Sequence, residues 1–468
     1  MREAAAEALD AARARGASNA AVRIVERTRL SIEVRDGRPR VSKEETAGAS
    51  VRALVDGAAG LAAGPRATRE ELAELVSRAC AAAKCVAREA RGNPIDPAPA
   101  APAADRWQSA CADDPFASPV DRWIDVLRRL DARLRAPAGV ATARASFVFV
   151  RERSRLVTLE GASIDQSRTL VGARLAAVAA RGSDSVERSF PLPSDEPTYT
   201  GGFEMLAGLR LEEEADRVAI EAAALLDAPP CPRGTKDLLV GGPQLAALVH
   251  ATLGRALERD RARDGSAPAL RVGDAIASEA VDLAADPTLA GGLASTAYDD
   301  EGIPTARFPL VRAGRVTAFL TSRETARSAG EPSSRGCARA ADAGDPPSVR
   351  APNLALAPGA IELVDLVADT KDAILVETPS SAELGSSTRY RVVPECAWEV
   401  RDGRRVRLLR SGAWIDATPE LWKRCDALAS SGAWRVWPTG LDAKGSPPRE
   451  VLASAGVSVA RFRGVELR

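Results

Sequence analysis

The chain has 468 residues, enough for two or three domains with a sizeable core. Its 64 Lys and Arg balance 64 Asp and Glu, and zero formal net charge argues against general nucleic-acid affinity, which needs excess positive charge to displace phosphate counterions. No run of about 18 apolar residues is present, which excludes a helical membrane span.

Residues 1–15 mix Arg, Glu and Asp with alanine, so they read as a helix and not as the apolar segment of a signal peptide. Seven cysteines, at 80, 85, 111, 231, 337, 396 and 425, are odd in number and irregular in spacing. A reduced, cytoplasmic setting is expected, with the thiols acting as small apolar residues. Strands are expected at 21–26 and 30–35, then a hairpin turn at Asp36-Gly37. The meander continues through 47–54 and 60–63 across Asp56-Gly57. Thr68 caps the next helix, with Glu71 completing a capping box. Residues 1–91 thus form an N-terminal α+β segment.

Residues 92–119, rich in Pro, Ala and Asp, read as a linker. The second segment, 120–228, opens with a helix over 120–135. Strands follow at 143–152, 155–160, 164–180 and 185–190, then a helix over 212–226. Pro229, Pro230 and Pro232 mark the best boundary in the chain. The last segment, 233–468, reads as β-rich with helices inserted. Its strands are expected at 237–240, 276–283, 308–312, 316–319, 374–378, 389–393, 397–400 and 404–409, with short helices at 322–329, 362–368 and 420–429. The fold class is therefore α+β: an N-terminal α/β layer of antiparallel strands with helices, followed by a β-rich C-terminal domain.

The only histidine, His250, sits within 244–261, where Leu245, Leu248, Val249, Leu253 and Leu257 recur at helical spacing. A zinc peptidase helix needs histidines to hold the metal and a glutamate to take a proton from metal-bound water. Here Ala251 follows His250 and no second histidine exists.

This stretch resembles the zinc helix of the TldD/PmbA (TldE) family of peptide-processing proteases, whose active members carry His-Glu-x-x-Gly-His and then a glutamate three residues on. His250, Gly254 and Glu258 are in register; Ala251 replaces the base and Arg255 the second histidine. A five-residue step turns about 140° on an ideal helix, so the family motif implies a locally distorted helix, and no ligand pair remains here to require one. The run 48–60, the turn at 160–163, the stretch 295–304 around Asp300-Glu301-Gly302, the run 314–326 and the segment from Arg350-Ala351-Pro352-Asn353 to Pro358-Gly359 are similar to further family segments in the same order. The family's distal cysteine ligand has no counterpart after Cys425, where the chain reads Trp434-Arg435-Val436-Trp437-Pro438-Thr439-Gly440.

The resemblance implies a metal-free pseudo-peptidase subunit, with no cofactor of its own, that pairs as a heterodimer with a zinc-bearing TldD-like subunit and takes extended peptide along its sheet edges. Catalysis would belong to the partner. Candidate groove residues are His250, Ala251, Arg255, Glu258, Asp299, Asp300 and Glu301. Two other readings stand beside this one: a zinc peptidase in its own right, using His250 with non-standard ligands, and a non-catalytic peptide-binding homodimer. Arg255 reads either as a fixed positive charge near the lost metal, pairing with a peptide carboxylate or Glu258, or as a surface arginine. The triplet Asp299-Asp300-Glu301 reads as a turn cap or solvated loop before it reads as acid–base machinery. The Trp398–Trp437 tail reads as core or interface anchors before a stacking platform. A Ser-His-Asp triad has only His250 to be built on, and no phosphate-binding glycine loop is present.

Overall fold

Long alternating strands build the first layer of the computed structural model, which describes residues 2–89, 94–384, 390–410 and 415–468. The N-terminal half runs α1 (Arg2–Ala14), β1 (Asn19–Arg35), β2 (Arg38–Val55), β3 (Ala58–Gly64), α2 (Arg69–Glu89), β4 (Ala104–Gln108), α3 (Val120–Leu134), β5 (Val140–Thr158), β6 (Ser163–Arg181), β7 (Asp184–Phe190), β8 (Tyr199–Thr200), α4 (Glu204–Ala207) and α5 (Leu211–Leu225). One eight-stranded sheet takes the order β3-β2-β1-β5-β6-β4, with β7 and β8 also on β6. The Asp36-Gly37 and Asp56-Gly57 turns both have two positive φ values (49° and 80°, 51° and 74°), the conformation a two-residue hairpin needs to match strand twist.

β1 alternates between two buried faces. Its even residues face the helices: Ala20, Val22 and Ile24 lie under α1 and α2, and Leu30, Ile32 and Val34 under α3 with α5. On its other face Arg23 meets Asp300 of the C-terminal half, while Arg27 and Arg29 meet Glu152 and Glu196 of the N-terminal half. These polar residues explain why the sequence reads as two strands on either side of 27–29 whereas the structure has one: cross-sheet carboxylates satisfy the arginines, so the strand is not interrupted. For the same reason 143–152 and 155–160 merge into β5, where Glu152 is 8% exposed. The expected linker also differs, since β4 forms within it and pairs parallel with β6. The boundary at 91/92 lies outside the described residues.

After α5 the chain enters the C-terminal half through β9 (Gly234–Val240), which lies in a six-stranded sheet between Asp372–Val376 and Ala460–Leu467. A second six-stranded sheet is ordered Arg315–Val316, Phe308–Arg312, Leu283–Ala285, Leu354–Leu356, Arg449–Val457, Arg435–Lys444. The arrangement is α+β, with helices layered on the first sheet and a β-rich second half. Of the expected strand 276–283 only the last residue is in a strand, Leu283–Ala285. The expected helix 420–429 is instead a 3-10 turn, Pro419–Arg424, followed by strand Cys425–Leu428. The expected strand 389–393 starts outside the described residues and is seen as Tyr390–Pro394. Trp422 is fully buried and Trp437 packs on Phe190, so these members of the tail are core anchors, while Trp414 lies outside the described residues. Among the described residues no helix is long and apolar enough to cross a membrane.

Candidate functional site

Gly242, at φ 54°, and Pro243 start α6 (Gly242–Leu248), which does not continue as one straight amphipathic helix to residue 261. Val249–Gly254 is a π-helical turn, Glu258 is extended, and a short α7 (Arg259–Arg263) follows. A π turn bonds i to i+5, so it stacks residues five apart that an α-helix would splay. His250 and Arg255 therefore come to one side. The distortion is present although Arg255, not a second histidine, stands at the fifth position after His250. The surrounding packing holds it. The Thr252 hydroxyl donates to the Leu248 carbonyl at 2.5 Å and accepts from Trp422 Nε1 at 2.8 Å. Gly254 lies so close to the strand Leu354–Leu356 that a Cβ there would stand 2.9 Å from Leu354 Cδ1.

The polar residues of this segment are not on a wet face. Arg255 is 4% exposed and Glu258 is fully buried. Arg255 Nη2 donates to Asp442 Oδ1 at 2.7 Å, and Arg350 Nη1 donates to Asp442 Oδ2 at 3.0 Å. His250 Nε2 lies 4.0 Å from Asp442 Oδ2 and has no hydrogen-bond partner. Glu258 does not pair with Arg255. It accepts from Arg261 Nε at 2.6 Å, Lys444 Nζ at 2.7 Å and the Ala351 amide at 3.1 Å. Lys444 also holds Asp260 at 2.7 Å. Ala251 presents only a methyl group. The surface-arginine reading is thus overturned, and Asp442, with its neighbour Lys444 on the strand Arg435–Lys444, is the residue the sequence reading missed.

Electrostatics follow from this crowding. Burial pushes the His250 pKa down; Asp442 opposes that and Arg255 adds to it, leaving a neutral imidazole near pH 7. Burial would raise the Asp442 carboxyl, but the Arg255 and Arg350 guanidinium groups more than reverse it, so it lies well below the usual carboxylate range. Glu258 is likewise lowered: burial raises it, and the charge of Lys444 leads the groups that overcome this. The donor set does not fit a zinc ion. Zinc needs at least three protein ligands, whereas both Asp442 oxygens are taken by guanidinium groups and both Glu258 oxygens by N–H donors. Among the described residues no three His, Cys, Asp or Glu side chains converge as a metal site.

The acidic triplet does different work. Asp299 accepts from the Glu301 and Ile303 amides at 2.9 Å and from Ala338 at 3.1 Å, closing its own turn and tying a second loop to it. Asp300 accepts from Arg23 at 3.0 Å and from Ala340 at 2.8 Å, and Glu301 accepts from the Arg323 amide at 2.7 Å. Burial raises the pKa of both Asp299 and Glu301. The triplet caps a turn and joins the two halves. Asn353 organises the neighbouring loop, accepting from the Ala294 amide at 2.9 Å and donating to Ser295 Oγ at 2.9 Å. A cleft of about 610 Å³ opens on the helix-bearing side of the first sheet and holds none of the motif residues.

Comparison with known proteins assigns the whole frame. Three family models match in order: PmbA/TldA metallopeptidase domain 1 over residues 20–83, the central domain over 113–226 and the C-terminal domain over 234–458. A metalloprotease of Methanothermobacter thermautotrophicus is 32% identical over 62% of this chain and 63% of its own length. A metalloprotease of Methanocaldococcus jannaschii is 28% identical over 54% of this chain and 56% of its own. The matches thus span between about half and two thirds of these curated relatives. Among solved structures, TldE from Thermococcus kodakarensis superposes with a TM-score of 0.77 at 17% identity, covering 99% of each chain. A putative modulator of a DNA gyrase from Thermotoga maritima also gives 0.77, at 15% identity and complete coverage of both chains. At these identities the two structures speak to the fold alone.

Proposed function

The chain belongs to the TldD/PmbA family of metallopeptidases, and from that premise we propose that it is a metal-free, non-catalytic subunit of a peptidase that acts on unfolded or modified peptides. The observation that carries this reading is the Asp442 carboxylate, bonded on one oxygen to Arg255 and on the other to Arg350. Hydrolysis of a peptide bond requires an activated water and a group to receive its proton. At the π turn neither requirement is met: Ala251 has no acceptor, and His250 is a lone neutral donor beside two guanidinium groups. The buried ion cluster instead acts as a fixed wall. Its carboxylates are held by Arg255, Arg350, Arg261 and Lys444, so in this reading it needs no ion and shapes the side of a peptide chamber.

The partner in this reading is a zinc-bearing TldD-like subunit in the cytoplasm, which supplies the catalytic His, Glu and Cys. Extended peptide is held by backbone hydrogen bonds along sheet edges, which read little sequence. The deciding experiment mixes the purified chain with a TldD-like candidate and measures cleavage of an unstructured peptide. Cleavage by the mixture, with none by this chain alone, is the expected result. Chelator-sensitive cleavage by this chain alone would favour an independent peptidase. Peptide binding by a homodimer that stays inert with every such partner would favour a scaffold.

A further inference from the structure

A cleft of about 230 Å³ lies between the two halves, bounded by Arg27, Arg29, Glu152 and Arg168 on one side and by Arg339, Leu441 and Leu452 on the other. Leu441 adjoins Asp442, so the cleft runs up to the strand that carries the ion cluster. The arginines from the first sheet are committed. Arg27 and Arg168 share Glu152 at 2.6 and 2.7 Å, and Arg29 holds Glu196 at 3.0 Å. Arg339 is different. Its one hydrogen bond goes to the Leu452 carbonyl at 2.8 Å, and it forms no ion pair among the described residues. Burial, with Arg168 and Arg350 nearby, outweighs the more distant pull of the Asp300 and Glu152 carboxylates and lowers the pKa to about 10. A guanidinium in low dielectric next to like charge gains strongly from an anion that reaches it. Glu450 also lines the cleft, and it forms no ion pair among the described residues.

We propose that this cleft binds a carboxylate of an extended peptide through Arg339. The inference rests on the peptide-handling reading for its choice of ligand. The carboxylate is either the chain terminus or an acidic side chain, and one titration distinguishes them. Fluorescence anisotropy of the full chain is measured with three labelled, unstructured peptides: one with a free C-terminus and no acidic residue, the same peptide amidated, and an amidated version with a central glutamate. One or both carboxylate-bearing peptides are expected to bind at least about tenfold tighter than the neutral amide, a charged hydrogen bond's usual effect. In Arg339→Gln that preference disappears, and in Glu450→Gln, which removes a competing rim carboxylate, it grows. Equal affinity for all three peptides, no binding of any, or a preference that survives Arg339→Gln in a variant with unchanged thermal unfolding would each overturn the proposal. If the mixture with a TldD-like partner cleaves peptide while the preference is absent, the carboxylate site alone fails. If the preference is present and no partner confers cleavage, the functional reading fails and the site stands.

Discussion

Arg255 and Asp442, 187 residues apart in sequence, meet at 2.7 Å inside the protein, and this ion pair closes the π turn at the place where the family motif puts a second histidine. An arginine there supplies a permanent positive charge and five donors, and a carboxylate from the C-terminal strand answers it. Because Arg350 takes the second oxygen, removing the carboxylate strands two buried cations.

Asp442→Ala is therefore expected to cost about 3–5 kcal/mol in urea unfolding at pH 7, the usual cost of breaking a buried pair from one side. A double-mutant cycle with Arg255→Met should show a coupling of about 1.5 kcal/mol or more. Additive single effects would mean that the pair is incidental.

His250 is the only histidine, so its titration is isolated. Its folded pKa is depressed below the reference 6.5, so the unfolded chain binds the proton more readily. Stability should then fall as the pH drops below about 6.5, the slope following the proton difference between states. His250→Gln should flatten the profile between about pH 7 and 5, as read by urea unfolding at each pH. An imidazole NMR signal titrating above pH 6.5 in the native protein would contradict this.

Glu152 gives the same sign at more acid pH. Burial raises its pKa, but Arg168 and Arg27 dominate and bring it from 4.5 down to about 2. The stability it contributes is present above pH 4.5 and is lost as the pH falls toward about 2. Glu152→Gln should be less stable at pH 7 and should lose less stability over that acid range.

The π turn depends on a bare backbone at Gly254. Gly254→Ala brings a methyl group to 2.9 Å from Leu354 Cδ1 and should destabilise the protein by about 1–3 kcal/mol. Pairing it with Leu354→Ala, which opens space, should give less than the sum of the two separate losses. Full additivity would show that the contact is slack.

Much of the fold was legible because period-two apolar residues and two-residue turns mark strands locally. The hairpins at Asp36-Gly37 and Asp56-Gly57 were placed by that signal, and the ordered family segments supplied the rest of the frame. Strand lengths were not legible. Arg27, Arg29 and Glu152 look like breaks in a strand until neighbouring strands and Glu196 supply their partners. The site was half legible. His250, Ala251, Arg255 and Glu258 follow from register, but for Arg255 the sequence displays only a peptide carboxylate, its i,i+3 neighbour Glu258 or a wet surface as its surroundings. Asp442 lies far away in the chain, beyond the reach of any local pairing rule. The charged residues Asp442 and Lys444, alternating with Leu441 and Ala443 on one strand, were the available signal. The π turn left no trace in the apolar period, since the segment is buried on all sides and not striped.

A metal-free site requires Asp442 to be held by guanidinium groups and not free to take an ion. Isothermal titration of the full chain with zinc, set beside the same titration of His250→Ala, reads this out. No tight stoichiometric binding that depends on His250 is expected. A tight site holding about one zinc per chain, abolished in His250→Ala, would contradict it.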